Sequence, residues 1–362
     1  MLDNNSHKTS WSILAAWRFA LATTVVLGHY FLMIRPDTLR LFRADLLNPS
    51  SAVFGFFVLS GYSIGASIER EQSSFYKRRA LRIWPLYVAA IAFGVIVQCL
   101  VRVSPSHPFI WPLGERTFSA STVSVVTSLF MLQSVIGGPV SFDGPLWSLS
   151  PEWWHYMVAP KLRKLPTAVL SLLILGSFLA FIFLAPASAG VDTLAGWRVL
   201  VVTSWLWVTG FLYFRLRRTP LGFTVLALPA TLGLALSKNW GLPLLLTIFV
   251  LTMSTEVKVA ERIGRFFDFL GDVSYPLYLF HLPTMMALLA LGVSNGFALL
   301  AGPLVIAALA LYGIDLPIRS RLSLQKPRTS AHGAENAERI EFAELSLGRV
   351  ESGNYSQTNL SL

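Results

Sequence analysis

Residues 167–184 read TAVLSLLILGSFLAFIFL, a run without one charged side chain. A helix that crosses the hydrocarbon core of a bilayer needs roughly 20 predominantly apolar residues, and this run is close to that length. Comparable stretches recur along the chain, at about 12–34, 49–68, 84–103, 141–160, 167–186, 197–214, 221–237, 240–255, 270–291 and 298–316. The sequence therefore predicts an all-α, polytopic membrane helical bundle of about ten transmembrane helices.

The composition of the 362-residue chain supports the same class. Hydrophobic residues make up 54% and charged residues only 13%, whereas about a quarter of the residues in a soluble domain are charged. The net charge is +10, but the basic residues lie in short clusters between apolar stretches, which is typical of cytoplasmic loops. We therefore expect contact with membrane lipid and no binding of nucleic acid. The single cysteine, Cys99, excludes an intrachain disulfide.

Loop charge also predicts the orientation. Basic clusters lie between predicted spans at 70–82, 161–164, 215–218 and 258–265, and after the last predicted span at 319–321. If a further apolar stretch at 119–136 does not cross, all of these clusters share the side of the N-terminus, as the positive-inside rule requires. If it crossed, the clusters from 161 to 265 would move to the outer side. We therefore interpret 119–136 as an interfacial or re-entrant segment and predict that both termini are cytoplasmic.

The polar end of the chain is predicted to lie outside the bundle. Residues 325–362 are polar throughout and lack a sustained apolar period, which predicts a disordered cytoplasmic tail. A short amphipathic helix at 335–347 is the alternative. The expected domains are thus 1–324, the transmembrane domain, and 325–362, the tail.

The first predicted span contains two ionisable residues, Arg18 and His29. They are eleven positions apart, about three helical turns, so they share a face and lie roughly 16 Å apart along the axis. Ionisable side chains inside a span are costly and indicate function, and an imidazole can act as a general base near neutral pH. The alternative is that Arg18 snorkels to one interface and His29 lies at the other.

The fourth predicted span opens with GPLWSLSPEWWHY at 144–156. Glu152 is followed at i+3 and i+4 by His155 and Tyr156, which can share its face. An anionic Glu152 needs a partner inside a membrane, and the imidazolium of His29 is the partner we expect. An interfacial aromatic belt accounts for the tryptophans in this stretch but not for Glu152.

Two further polar patterns stand out. Ser274, Tyr278 and His281 follow one another at i, i+4 and i+7, which places them on one stripe of a helix, where His281 is either functional or a packing residue. The predicted loop 69–83 contains four cations within 77–82. They are either a signal of membrane topology or a phosphate-binding site that uses the paired N–H donors of arginine.

The sequence has no metal-ligand spacing, P-loop or GxSxG elbow, so we predict no metal and no bound cofactor.

In their order and spacing, these segments resemble the acyltransferase 3 family of membrane O-acyltransferases. The matching elements, spread over about 12–320, are Arg18 with His29 ten intervening residues later, Phe56-Phe57-Val58-Leu59-Ser60-Gly61-Tyr62, Arg79-Ala80-Leu81-Arg82-Ile83-Trp84-Pro85, Trp147-Ser148-Leu149 with Glu152, and Ser274-Tyr275 through His281. Two positions depart from the family pattern: Tyr62 replaces the usual Phe, and Pro151 stands where an aliphatic residue is commoner. Neither departure removes a chemical group.

The resemblance implies a site and a reaction. Its catalytic residues would be His29, Arg18 and Glu152, with Glu152 orienting His29, and its donor-binding residues Arg79 and Arg82. Its supporting residues would be Ser60, Trp147, Ser148, Tyr275 and His281. Transfer through an acyl-His29 intermediate and direct transfer with His29 as base both remain open.

The function that the resemblance implies is O-acyl transfer, with acetyl expected, from cytoplasmic acetyl-CoA or another acyl-CoA to a sugar hydroxyl outside the cytoplasm. The acceptor would be an exopolysaccharide, a lipopolysaccharide unit or another lipid-linked carbohydrate, and the setting a bacterial cytoplasmic (inner) membrane. A transporter or flippase for lipid-linked sugar is the alternative, although it would more often contain internal repeats. A purely structural membrane component would not account for the ionisable residues within the spans.

Overall fold

The computed structural model describes residues 10–31, 48–103, 122–136, 144–185, 196–217, 219–236, 241–254, 257 and 259–324, and every regular element in these ranges is helical. The helices are α1 (Trp11–His29), α2 (Pro49–Arg70), α3 (Phe75–Val103), α4 (Thr122–Leu129), α5 (Leu149–Leu162), α6 (Thr167–Leu184), α7 (Trp197–Leu216), α8 (Pro220–Leu236), α9 (Leu242–Met253), α10 (Glu261–Ala290), α11 (Gly296–Ala310) and α12 (Leu316–Leu324). A 3₁₀ turn (Gly144–Ser148) leads into α5, and a π-helical turn (Leu311–Asp315) follows α11. The all-α prediction is confirmed. The predicted tail, 325–362, lies outside the described residues.

Seven helical segments within the described ranges are long and apolar enough to cross a membrane. They are Trp11–His29, Pro49–Arg70, Phe75–Leu100, Thr167–Leu184, Trp197–Leu216, Glu261–Ala290 and Gly296–Arg321. Large apolar side chains cover the outward faces of the peripheral helices; Phe183 of α6 is 80% exposed and Phe297 of α11 is 82% exposed. Such faces are stable in lipid rather than in water, so the chain is an integral membrane protein.

Three predicted spans correspond to helices below that length, since α5, α8 and α9 contain 14, 17 and 12 residues. The count of about ten crossings and the cytoplasmic position of both termini therefore stay predictions. The segment at 119–136 is described from residue 122 onward. Its helix, α4, has eight residues and is about 12 Å long, which is too short for a hydrocarbon core about 30 Å thick.

The α-helix does not continue beyond α4, and the residues that follow pack on the start of α5. Met131 adopts a left-handed conformation with φ 56°. Ser150 donates to the carbonyl of Met131 at 2.6 Å, and buried Gln133 donates to the carbonyl of Leu146 at 3.2 Å. These contacts satisfy polar groups that could not be left bare inside a membrane.

Several helix starts differ from the prediction. The segment 69–83, expected to be a loop, is helical from Phe75, so that Lys77, Arg79 and Arg82 stand on the first turns of α3. The prediction was wrong because hydropathy marks only the apolar part of a helix, whereas Arg, Lys, Ala and Leu are all strong helix formers. For the same reason α10 begins at Glu261 rather than near 270. The opposite error occurs at α5, where Gly144 and Pro145 form the 3₁₀ turn and the α-helix begins only at Leu149.

Helix α2 lies at the centre of the bundle, with 89% of its membrane span buried. It crosses α7 so closely that a Cβ on Gly61 would lie 2.0 Å from the carbonyl oxygen of Trp207, and a Cβ on Gly210 would lie 1.9 Å from that of Val58. Small residues commonly permit this kind of approach between membrane helices. The contact brings Ser60, beside Gly61, to the indole of Trp207.

Helix α1 packs along α10 in the other principal pairing of the bundle. At Gly271 an added Cβ would lie only 2.5 Å from the Cβ of Ala15, so small residues also set this approach. The pairing aligns the ionisable residues of α1 with the polar stripe of α10, and it thereby decides which residue His29 meets.

Candidate active site

A cavity of about 280 Å³ lies between α1, α2, α3, α5 and α10. Its lining contains a single carboxylate, Glu152, and four guanidinium groups. The arginines are Arg18, Arg70, Arg79 and Arg82. Seven of the ten residues that the sequence singled out line this cavity: Arg18, Ser60, Arg79, Arg82, Ser148, Glu152 and Tyr275. The structure thus brings together residues from five separate motifs.

Glu152, in the first turn of α5, anchors a hydrogen-bond network at the wall of the cavity. Its Oε1 accepts a 2.7 Å hydrogen bond from the hydroxyl of Ser60 and a further one from the phenol of Tyr156. The hydroxyl of Ser60 accepts in turn from the indole N–H of Trp207 at 3.2 Å. Both bonds use Oε1 of Glu152, so Oε2 has no protein donor among the described residues and remains for a ligand in the cavity.

The four arginines differ in how they are held. Arg18 donates to the hydroxyl of Ser63 at 2.5 Å, and Arg79 donates to that of Ser67 at 2.5 Å. The guanidinium of Arg79 also lies over the ring of Tyr156, 5.9 Å from its centroid, and its Nε is buried without a hydrogen bond.

Arg70 and Arg82 are exposed at the cavity, and neither forms a hydrogen bond or ion pair with any described residue. A cavity that carries four cations and one anion favours an anionic ligand, and arginine binds phosphate through paired N–H donors. These two side chains are the donors that a ligand could engage without breaking an existing contact.

Tyrosines from α10 form part of the cavity wall. The phenol of Tyr278 donates to the carbonyl of Pro145 at 2.8 Å and lies 2.7 Å from the hydroxyl of Ser148. Tyr275 donates to the carbonyl of Ile83 at 3.1 Å. These bonds tie α10 to α3 and to the 3₁₀ turn. Trp147, a predicted supporting residue, does not line the cavity; it is buried against Phe57, with the ring centroids 6.2 Å apart.

His29 and His281 lie next to the cavity rather than in its lining. Nδ1 of His29 is 3.2 Å from Nε2 of His281. The ring of His281 is in turn 6.2 Å from that of Tyr278, which does line the cavity. The histidine pair therefore lies outside the lining, with His281 behind Tyr278.

The predicted contact between Glu152 and His29 is wrong. Glu152 is bound by Ser60 and Tyr156, and His29 is paired with His281. Helical spacing places residues on a face of their own helix but does not fix which helix that face meets. Here α1 packs on α10, and α5 meets α2 instead.

A protein-family model described as an acyltransferase domain matches residues 12–314. The chain belongs to the acyltransferase 3 family. Neither a search of curated proteins nor a search of solved structures finds a match. The matched range includes every residue of the cavity lining except Trp11, together with both histidines, so the polar residues of the site all lie within the acyltransferase 3 domain.

One predicted polar neighbour of Glu152 has a packing role in this acyltransferase 3 protein. His155 is buried and stacks on Trp207, with centroids 5.0 Å apart and an interplanar angle of 9°. Its Nε2 is 2.9 Å from the hydroxyl of Ser204. It is outside the cavity lining, so the face shared by Glu152 and Tyr156 does not extend to it.

Sequence reasoning also missed residues of the site. Ser63, Ser67 and Arg70 line the cavity and follow Ser60 along α2 at intervals of three, four and three residues. That spacing is one stripe of a helix. The stripe could have been read from the sequence, but it lies within an apolar run, and hydropathy averages small hydroxyl residues into their neighbours.

Proposed function

We propose that this acyltransferase 3 protein is a membrane-embedded O-acyltransferase that moves an acyl group, with acetyl expected, from acyl-CoA to a sugar hydroxyl. The observation that carries the proposal is the cationic cavity, in which four arginines surround one carboxylate and a histidine pair lies behind one wall. Acyl transfer needs a binding site for an anionic donor and a base for the attacking hydroxyl. The cavity and the histidine pair supply these two parts.

The donor would dock through its phosphates on Arg70, Arg79 and Arg82. Arg70 and Arg82 have no competing protein partner among the described residues, and Arg79 leaves its Nε unbonded. In the predicted orientation these arginines belong to a basic cluster on the cytoplasmic side of the membrane. The cytoplasm is also the compartment that contains CoA. The thioester arm would then extend past Tyr278 toward the histidine pair.

The reaction would replace the thioester bond of the donor with an ester bond to the sugar. The sugar oxygen attacks the thioester carbonyl carbon and forms the new C–O bond while the C–S bond breaks. His29 takes the hydroxyl proton, and that proton then passes to the departing thiolate, which leaves as CoA thiol. An acyl-His29 intermediate is the other route. The imidazole nitrogen attacks the thioester carbonyl carbon and forms a C–N bond while the C–S bond breaks, and CoA leaves as the thiol with the imidazole proton. The sugar hydroxyl then attacks the acyl carbon, the C–N bond breaks, and the hydroxyl proton returns to the imidazole.

Glu152 has a different role from the one that its sequence pattern suggested. It is the only carboxylate in the lining, among four guanidinium groups. Its charge would offset part of their repulsion when the donor is absent, and its bond to Ser60 would hold α2 and α5 in register. We therefore place Glu152 with the donor site rather than with the base.

The acceptor would reach His29 from the outer side, as an exopolysaccharide, lipopolysaccharide or other lipid-linked sugar unit in a bacterial cytoplasmic membrane. This part rests on the family resemblance and on the predicted orientation.

The test is transfer of label from radioactive acetyl-CoA to a panel of cell-surface glycans by purified, detergent-solubilised protein, beside His29→Ala. Label on a glycan with the wild type only supports the enzyme and the base. Binding of acetyl-CoA without transfer would mean that the acceptor or the acyl group is another one. Absence of both binding and transfer would favour a flippase, which consumes no acyl-CoA.

A further inference from the structure

The hydrogen bonds of the histidine pair determine where its protons lie. Nδ1 of His281 is 2.8 Å from the carbonyl oxygen of Tyr278. A carbonyl oxygen only accepts, so Nδ1 of His281 carries a proton, and in a neutral imidazole Nε2 is then the acceptor. This Nε2 is the atom that faces His29, at 3.2 Å from its Nδ1.

The same reasoning assigns the proton of His29. Its Nδ1 faces two acceptors, Nε2 of His281 at 3.2 Å and the carbonyl oxygen of Val25 at 2.9 Å. Both require a proton on Nδ1. The lone pair of a neutral His29 is therefore on Nε2, and this nitrogen forms no hydrogen bond with any residue in the described ranges.

A charged His281 would reverse this arrangement, but the structure argues against it. His281 has 0% of its surface exposed, inside a membrane span, and no described carboxylate contacts it. Burying an unpaired charge there would be expensive. Its Nε2–H would also point at Nδ1 of His29, which already needs its own proton for Val25.

We propose that His281 is a positioning residue for the base. Together with the carbonyl of Val25 it holds the proton of His29 on Nδ1 and directs Nε2 at the acceptor hydroxyl. When Nε2 takes that proton, the Nδ1–H···Nε2 bond to His281 becomes charge-assisted and stabilises the imidazolium. A base oriented by a third group is a common arrangement in nucleophilic catalysis, and here the third group is a neutral imidazole. This inference rests on the proposed function, in which His29 is the base.

The first test reads the tautomer directly and needs neither donor nor acceptor. Nitrogen NMR of protein labelled with ¹⁵N-histidine would contain signals from six histidines, and the spectrum of His29→Ala identifies those of His29 by subtraction. We expect Nδ1 of His29 to be protonated and Nε2 to be unprotonated. A proton on Nε2 would overturn the inference, whatever the activity of the protein.

The second test uses two substitutions that separate positioning from packing. In His281→Gln the side-chain carbonyl can occupy the position of Nε2 and accept from His29, whereas His281→Leu fills similar space without an acceptor. We expect His281→Leu to lower kcat by roughly 100-fold, within the usual contribution of a general base, with the donor KM unchanged. We expect His281→Gln to recover at least tenfold of that loss and to retain the His29 tautomer.

The outcomes distinguish this inference from the proposed function. Two results would overturn the inference and make His281 a packing residue. One is a wild-type kcat in His281→Leu; the other is an equal loss of kcat in both His281 variants with an unchanged His29 tautomer. In either case the proposed function would stand as long as His29→Ala is inactive. Full activity in His29→Ala would instead remove the base from the proposed function.

Discussion

Ser60 of α2 donates a 2.7 Å hydrogen bond to Glu152 of α5, and the residue next to it, Gly61, lies where α2 crosses α7 so closely that an added Cβ would be 2.0 Å from the carbonyl oxygen of Trp207. The polar network of the cavity and this close helix crossing are thus one residue apart. A change that moves the crossing must also move the hydroxyl that Glu152 binds.

Gly61→Ala and Gly210→Ala are expected to destabilise the protein by about 1–3 kcal/mol or more, because each new methyl group would overlap a backbone carbonyl that cannot rotate away. Thermal unfolding in detergent would measure the loss. Gly176→Ala on α6 is the matched control, since its Cβ would meet no atom within 4 Å, and it should change stability by less than about 1 kcal/mol. Equal melting temperatures for all three variants would contradict the crossing described for α2 and α7.

Glu152→Gln should fold and still accept from Ser60, but it removes the carboxylate charge from among the four arginines. We expect at least a tenfold loss of kcat/KM for transfer. Glu152→Ala should in addition lower stability by about 1–3 kcal/mol, because Ser60 and Tyr156 lose their shared acceptor and only one of these two hydroxyls, 3.2 Å apart, can then donate to the other. Wild-type turnover in Glu152→Gln would mean that only hydrogen bonding matters at this position.

Arg70→Ala and Arg82→Ala should raise the KM for acyl-CoA by roughly tenfold to a hundredfold with little change in kcat, which is the magnitude of one or two charge-assisted hydrogen bonds. Arg78→Ala is the control on the same helix as Arg82, since Arg78 pairs with Glu71 at 3.1 Å and does not line the cavity. A donor KM that responds to Arg78 as strongly as to Arg82 would point to general surface charge instead of a phosphate site.

His29→Ala should abolish transfer while the protein remains folded. His155→Phe is the matched control, because this histidine is also buried in the bundle but stacks on Trp207 outside the cavity. A phenyl ring keeps that stacking, and Ser204 still donates to the carbonyl of Leu200. Transfer should therefore continue in His155→Phe. Loss of transfer in both variants, with both folded, would place the chemistry nearer to α5 than the proposal does.

The predicted orientation can be tested with single cysteines in a Cys99→Ser background. Ser73→Cys, between α2 and α3, should react with a membrane-impermeant thiol reagent only after the cytoplasmic side is opened. Ser294→Cys, between α10 and α11, should react from the outside in intact cells. Both positions are exposed. Labelling of the two cysteines from the same side would refute the predicted set of crossings.

The sequence predicted the helical class, and it singled out seven of the residues that line the cavity, because polar and charged residues inside apolar runs are conspicuous. It did not predict the partners of those charges. Arg18 and His29 share a face in both the prediction and the structure, but only the packing of α1 on α10 determines that His29 meets His281 and not Glu152. Likewise, hydropathy predicts a loop over the first turns of α3, because the charges of residues 77–82 lower the hydropathy without preventing a helix.

The ring of Tyr278 lies against that of Phe56, with centroids 5.7 Å apart, at the boundary between the arginine cavity and the histidine pair. A protein that joins a reagent of one compartment to a substrate of another must also remain a permeability barrier, since an open path through it would dissipate the ion gradients of the membrane. In the proposed orientation this aromatic pair would seal the resting protein. A thioester arm that extends past Tyr278 would itself fill the opening, so that ions could not pass through the protein while the reaction takes place.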